Sequence, residues 1–567
     1  MKFNNRLKKL GTGILSFAVA LSCFAACGGG GNDSGNGGNS KSTTEIEFAN
    51  YQGCAGDAWL KAAAERFSAL KAEESYESGK KGVRINISNV KSIPYTSLNS
   101  EGYDIYIGEN KANIYAMASS GYLLDLGEVV SGIESKIDPD AIKRLKGADG
   151  KYYGLPSYEW YSGVSYDQDF FNEKNLYLAA PEATGRTVDS KFGTLKLVAS
   201  ESDKKSCGPD GVYNTQDDGM PSSLMEFVSL MDIIKNNGRS PFIISGASID
   251  YSFFLVEALW ASLAGKEQIK TIYSLDSKGA EIVEVVTGFS DEDLFYAGSG
   301  IKKPITEKIA ISEENGYKIY DMASRYYGLA TLQLIYNEGW FEDSFLKNSA
   351  KTNLQAQYSF VNDGKAAILY DASFWCSESV RSGDFVKYAK LYPDNPERNV
   401  SYMPMPVTID TPVTENNGVR QALLDVGAAQ LFVSKRVENN AGKKQAVIDF
   451  LKFLYSDAEL AAFTENTGLK IPVSYEYDDS KLNDYFKKLT KYVGESDVVY
   501  FASDSTIVNK NLEAFALTWS GAINKPVINN IEVGKGYLEA MKNYNADCKT
   551  IFEVTRKTQS TWESLQK

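Results

Sequence analysis

The chain has 567 residues, of which 43% are apolar, 23% charged and 12% aromatic. This is the profile of a globular protein of two to four domain-sized units, not of a disordered or fibrous one. It contains no histidine, which excludes Ser-His-Asp and Cys-His catalysis, imidazole metal ligands and imidazole bases. Any chemistry would fall to carboxylates, Lys, Tyr or Cys, so an enzyme is disfavoured. With 60 basic against 73 acidic residues, a net charge of −13, it lacks the basic footprint that nucleic-acid binding needs.

Residues 1–26 have the pattern of a secretory signal. Lys2, Arg6, Lys8 and Lys9 form a basic start, and an apolar stretch follows from Leu10 to Ala26, too short for a membrane span. It ends in Phe24-Ala25-Ala26-Cys27. Small residues before a cysteine resemble a bacterial lipobox, which implies lipidation at Cys27, with Cys23 as a weaker alternative and Phe24 standing where Leu is usual. Residues 28–44 contain seven glycines and no large apolar residue. They read as a flexible tether with a reach of roughly 20–25 Å. Removing the leader takes the charge to about −17. Together these features predict a body that works in water, held outside the cell at a membrane surface. The remaining cysteines, Cys54, Cys207, Cys376 and Cys548, are too scattered to define a disulfide framework.

The body opens with alternating polar and apolar residues at 45–49, the mark of a strand. Trp59, Leu60, Ala63, Phe67 and Leu70 follow at helical spacing. Further strands are predicted at Val83–Ile87 and Asp104–Ile107. This strand–helix–strand order predicts an α/β fold with a mainly parallel sheet, whose ligands bind beyond the carboxyl ends of the strands. Two such ends are polar, Asn50–Gly53 and Gly108–Asn110, and they nominate Gln52 and Glu109. A second α/β region follows Gly154-Leu-Pro156. Its helices are predicted near Ser222–Asn236, opened by a capping box with Glu226, near Asp250–Leu263 and near Tyr317–Glu338. Strands are expected at Ala366–Tyr370 and Gly427–Val433, and a helix from about Lys443 to Tyr455.

One ordered set of short patterns carries more. It comprises Gly121-Tyr-Leu-Leu-Asp-Leu126, Tyr153-Gly-Leu-Pro156, Val164-Ser-Tyr-Asp167 before Phe170-Phe171, Asn362-Asp-Gly-Lys-Ala-Ala367, Trp375, Phe450-Leu-Lys-Phe-Leu454 and Thr467-Gly-Leu-Lys-Ile-Pro472. In that order, over roughly residues 45–475, the chain resembles the family 1 extracellular solute-binding proteins, sugar-binding lipoproteins that serve ABC importers. Asp167 stands where that family usually has Asn. Insertions near 180–220, 265–310 and 475–510 account for the unusual length.

The resemblance implies a two-lobed, periplasmic-binding-protein-like fold with discontinuous lobes that close on ligand by hinge motion. Crossings are expected near Pro156–Tyr161, Tyr370–Trp375 and Leu454–Asp457. Lobe one would be 45–155 plus 371–455, and lobe two 156–370 plus 456–567. The expected protein is a monomer that delivers a carbohydrate, an oligosaccharide by preference, to permease subunits in the membrane. The rival readings are a peptide or other solute binder on the same fold, or a surface glycan binder with no transporter. In Tyr158-Glu-Trp-Tyr161, aromatic rings suit the apolar faces of sugars and a carboxylate suits their hydroxyls. The resemblance nominates Glu159, Trp160, Tyr251 and Trp375 for the ligand, with Trp519 as a further candidate, while Trp260 and Trp340 read as core. Separately, Asp210, Asn214, Asp217 and Asp218 gather oxygen ligands among glycines. They could hold a structural calcium ion, although the spacing is not that of an EF-hand and an acidic solvated loop explains it equally.

Overall fold

The structure, a computed structural model, describes residues 42–566 apart from 92, 94–96, 99, 109–116, 148, 203, 426–428 and 501–525. In chain order, β1 (Thr44–Tyr51) leads through α1 (Ala58–Leu70) to β2 (Val83–Val90), β3 (Ile105–Gly108) and β4 (Leu155–Pro156). Then come β5 (Ser165–Asp167), α2 (Leu224–Asn236), β6 (Ser240–Ile243), α3 (Phe253–Ser274), α4 (Ala323–Asn337), α5 (Asn353–Tyr358), β7 (Ala366–Leu369), α6 (Trp375–Arg381) and β8 (Val400–Tyr402). The last run holds β9 (Gln430–Val433), α7 (Ala441–Leu454), α8 (Asp457–Thr467) and α9 (Asp484–Glu495).

Two sheets organise the molecule. The first has the order β2-β1-β3-β9-β4. Strands β1, β2 and β3 are parallel, and β9 runs antiparallel to both β3 and β4. Alternation in β1 buries Ile46 and Phe48 completely, and α7 lays Phe450 edge-on against Phe48. The second sheet has the order β8-β5-β7-β6, with β7 parallel to β6 and the other pairs antiparallel. Helix α2 starts where the sequence predicts. The Ser223 hydroxyl accepts the Glu226 N–H at 3.2 Å, and the Glu226 carboxylate accepts the Ser223 N–H at 3.1 Å. Helix α3 runs further than expected and breaks its regular geometry at Gly265, where φ is 74°.

The predicted lobe boundaries need correction. Strand β8 pairs with β5 in the second sheet, and Trp375 at the start of α6 donates to Ser165 of β5. Residues 371–402 therefore belong with the second sheet, not the first, and the chain returns to the first sheet between β8 and β9. Helix α8 stays with the first sheet: Arg66 of α1 binds Glu459 at 2.6 Å, and Trp59 meets Phe463 edge-on. The last passage therefore lies between α8 and α9, which packs against β8, and not at Leu454–Asp457.

The insertions carry added structure. One is a three-stranded antiparallel unit of Tyr177–Leu178, Arg186–Ser190 and Gly193–Val198. Another is a long hairpin of Val283–Asp293 with Lys302–Ile309. The third holds α9 and a strand, Asp497–Val499, that pairs with Ala422–Leu424. All four cysteines among the described residues are buried. Among the described residues no helix is long and apolar enough to cross a membrane.

Candidate functional site

Four stretches of chain meet between the two sheets. Ser157 donates its N–H to Ala429 C=O at 2.9 Å and Glu159 to Lys470 C=O at 2.8 Å. Tyr161 donates its N–H to the Ser373 hydroxyl at 2.9 Å and forms an isolated bridge with Asp425. Alternate residues of one crossing thus bond to three other segments, which fixes the side chains between them. A cavity of about 20 Å³ opens here between Glu159, Tyr161, Ser373, Gly468, Lys470 and Leu489, room for a single water. Gly468 takes the left-handed conformation that ends α8, with φ of 75°. A side chain there would run into the Phe486 ring, so glycine is what lets α9 approach the crossing.

The chemistry of the spot is set by Glu159. Its carboxylate accepts from the Tyr161 hydroxyl at 2.7 Å and from the Tyr500 hydroxyl at 3.3 Å. Burial, reinforced by the negative charge of Asp425, pushes the group up to about 7, while the Tyr161 bond and the charges of Arg144 and Lys470 oppose the rise. Burial and the adjacent Glu159 push the Tyr161 phenol well above its ordinary value. Beside them, Arg144 and Asp425 form an ion pair at 2.6 Å, with side chains 1% and 0% exposed. The Arg144 guanidinium also lies 5.5 Å from the centre of the Tyr500 ring. A carboxyl group that titrates near neutrality and is hemmed by phenols can give or accept hydrogen bonds with a hydroxylated ligand.

The nominated residues are distributed unevenly around this point. Glu159 lines the cavity. Gln52 is exposed just beyond the carboxyl end of β1. Glu109, Trp519 and Cys27 lie outside the described residues. The three described rings expected to face a sugar are interior. Trp160 is 3% exposed and meets Phe254 and Phe374 edge-on. Tyr251 is 1% exposed against Phe254. Trp375 is 0% exposed, its indole N–H donated to the Ser165 hydroxyl at 2.9 Å and its ring covered edge-on by Tyr485 of α9. Trp160 is covered by Phe254 and Phe374 and Tyr251 by Phe254, whereas Trp375 is enclosed by Phe360, Phe385 and, from α9 of the third insertion, Tyr485. Trp260 and Trp340 are buried, each 1% exposed.

Sequence reasoning missed Arg144, Asp425 and Tyr500, which carry no local signature. Lys470 was within reach, since it sits in the Thr467–Pro472 pattern. The carboxylates of the acidic loop accept hydrogen bonds from the loop itself. Asp217 accepts from the Asp210 N–H at 2.9 Å and the Thr215 hydroxyl at 2.7 Å, Asp210 from the Val212 N–H at 2.7 Å, and Asp218 from the Asn214 N–H at 2.8 Å. Asn214 adopts the left-handed conformation, φ 68°. Among the described residues no three Cys, Asp or Glu side chains gather as a metal ion would need. These carboxylates brace their own loop.

No family model matches the chain, and no curated protein matches its sequence. Solved structures do match. A "Chitin oligosaccharide binding protein" aligns over 93% of this chain and 100% of its own at 14% identity, with a TM-score of 0.54. Maltose-bound MalE3 of T. maritima aligns over 92% and 100% at 14% identity, with a TM-score of 0.52. The apo-form of RafE from Streptococcus pneumoniae aligns over 93% and 99% at 12% identity, with a TM-score of 0.50. At these identities the likeness is one of fold, and it spans the body from end to end. The chain has the two-lobed α/β architecture of these solute receptors.

Proposed function

We propose that this protein is an extracellular solute-binding protein that captures a carbohydrate, by preference an oligosaccharide, and hands it to an ABC importer without chemical change. The observation that carries the reading is the buried Glu159 at the crossing between two α/β sheets, facing a small cavity that hinge opening would enlarge. The shared fold with receptors for chitin oligosaccharide and maltose supports it. Glu159, Tyr161 and Lys470 make the contact from the crossing, and Gln52, Glu109 and Trp519 remain candidates. Hydrolysis is disfavoured because the nearby Asp425 is committed to Arg144. Lipidation at Cys27 would hold the body, a monomer, at the outer face of the membrane, within reach of the permease.

Calorimetry of the mature protein against a panel of oligosaccharides and peptides tests the reading. Binding of at least one oligosaccharide, weakened tenfold or more by Glu159→Gln, is expected. Binding of peptides alone would replace carbohydrate by peptide on the same fold. Metabolic labelling with palmitate in the native host, abolished by Cys27→Ser, tests the anchor.

A further inference from the structure

A second concavity lies in the second-sheet region and shares no residue with the Glu159 cavity. Its volume is about 460 Å³, within the few hundred to a thousand cubic ångströms usual for small-molecule sites. Its lining includes Ser359 and Asp363, the ends of a π-helical turn, Ser359–Asp363, that continues α5. Such turns are rare and concentrate at functional sites.

Two polar side chains on the lining are almost completely covered yet incompletely bonded. Ser359 is 2% exposed and its hydroxyl has no hydrogen-bond partner among the described residues. Asn353, also 2% exposed, gives its amide N–H to Glu378 at 3.4 Å, while its Oδ1 has no partner. Buried polar atoms are normally satisfied, and once a ligand parts the lining that covers them this pair offers it an acceptor and a hydroxyl. Around the rim stand Lys351, Lys365 and Lys387. The Lys351 and Lys365 ammonium groups lie 5.2 and 5.9 Å from the centre of the same Phe345 ring, and neither has a carboxylate partner among the described residues. Lys387 is held by Asp384 at 3.3 Å, and Asp363 supplies the remaining carboxylate. Three ammonium groups against two carboxylates leave the lining at +1, in a chain whose net charge is −13.

We propose that this pocket is a second ligand site, separate from the cleft, for a hydroxylated monocarboxylate of one or two sugar rings, a uronate in chemical class. The carboxylate sits between Lys351 and Lys365, and ring hydroxyls donate to Asn353 Oδ1 and exchange hydrogen bonds with Ser359. A neutral sugar forgoes the ammonium pair, and a dianion meets Asp363 and Asp384.

The probe is D-glucuronate, titrated calorimetrically into the mature protein, with D-glucose as the neutral control. The expected result is glucuronate binding at least tenfold tighter than glucose and weakened by 0.5 M salt. The double variant Lys351→Met/Lys365→Met should bind at least tenfold more weakly, with its melting temperature confirming that it is folded, while Glu159→Gln should bind as the wild type does. Ser359→Ala, a smaller change in the lining, should weaken binding severalfold. No glucuronate binding by the wild type, unchanged binding by the lysine variant, or loss of binding in Glu159→Gln would each overturn the proposal. The last outcome would assign the uronate to the cleft.

Discussion

Among the buried carboxyl groups held near neutrality, Asp217 and Glu159 differ in what surrounds them. Asp217 is pushed up to about 8 by burial and by the charge of Asp210. Glu159 is pushed up to about 7 by burial and by the charge of Asp425. The electrostatic signature is almost the same. Around Asp217, however, the hydrogen bonds come from Asp210 and Thr215, within seven residues, and they tie one loop to itself. Around Glu159 they come from Tyr161 and from Tyr500, 341 positions away, with Arg144, Asp425 and Lys470 close by. A shifted carboxyl group alone therefore does not mark a site. One held by segments far apart in the chain, at the crossing between the two sheets, is the one we propose as the site.

The sharpest way to break the comparison is through Arg144. Arg144→Met removes the cation opposite Asp425 in a fully buried pair and should cost about 3–5 kcal/mol in unfolding by urea. No neutralisation in the Asp217 loop should approach that, because its carboxyl groups are answered by backbone N–H groups and a hydroxyl and not by a buried cation.

The pH dependences come next. For each carboxyl group the folded state holds its proton to a higher pH than the unfolded chain, so the folded form binds more protons between the two values. Stability therefore falls as pH rises, from 4.5 to about 7 for Glu159 and from 3.8 to about 8 for Asp217. Glu159→Gln and Asp217→Asn should each flatten the corresponding part of the stability–pH curve, gaining relative to wild type at pH 8 and losing relative to it at pH 4. The two then part company in the ligand assay. Glu159→Gln should weaken sugar binding about tenfold, and wild-type affinity should rise as pH passes through about 7 if the ionised form is the better acceptor for hydroxyls. Asp217→Asn should leave affinity unchanged. A matching loss of affinity in both variants would erase the distinction drawn between the two regions.

Much of this contrast was out of reach of the sequence, for reasons that can be named. Local order is legible because it is made locally: the alternation of β1 and the Ser223–Glu226 capping box each involve residues within a few positions of one another. The Arg144–Asp425 pair spans 281 positions, and nothing at either end announces the other. The lobe boundary failed at β8 because a three-residue strand, Val400–Tyr402, is too short to show a period. Trp375 was legible as a motif, but its surroundings were not, because the helix that covers it lies more than a hundred residues further along the chain.

That covering helix offers the smallest and most discriminating change. Tyr485 of α9 lays its ring against Trp375 with centres 5.4 Å apart, and its hydroxyl meets the Ser165 hydroxyl at 2.9 Å. The same Ser165 oxygen receives the Trp375 indole N–H at 2.9 Å. Tyr485→Phe removes one hydrogen bond and keeps both rings in place, since Ser165 still accepts from the indole. The expected cost is about 1 kcal/mol, read as a shift in the urea midpoint at constant slope, with sugar affinity unchanged. Tyr485→Ala goes further and uncovers one face of the indole. If Trp375 is purely a packing residue, that variant loses stability and gains no affinity. If it tightens sugar binding by more than threefold, the ring is a platform that α9 covers, and the cleft reaches from Glu159 to Trp375.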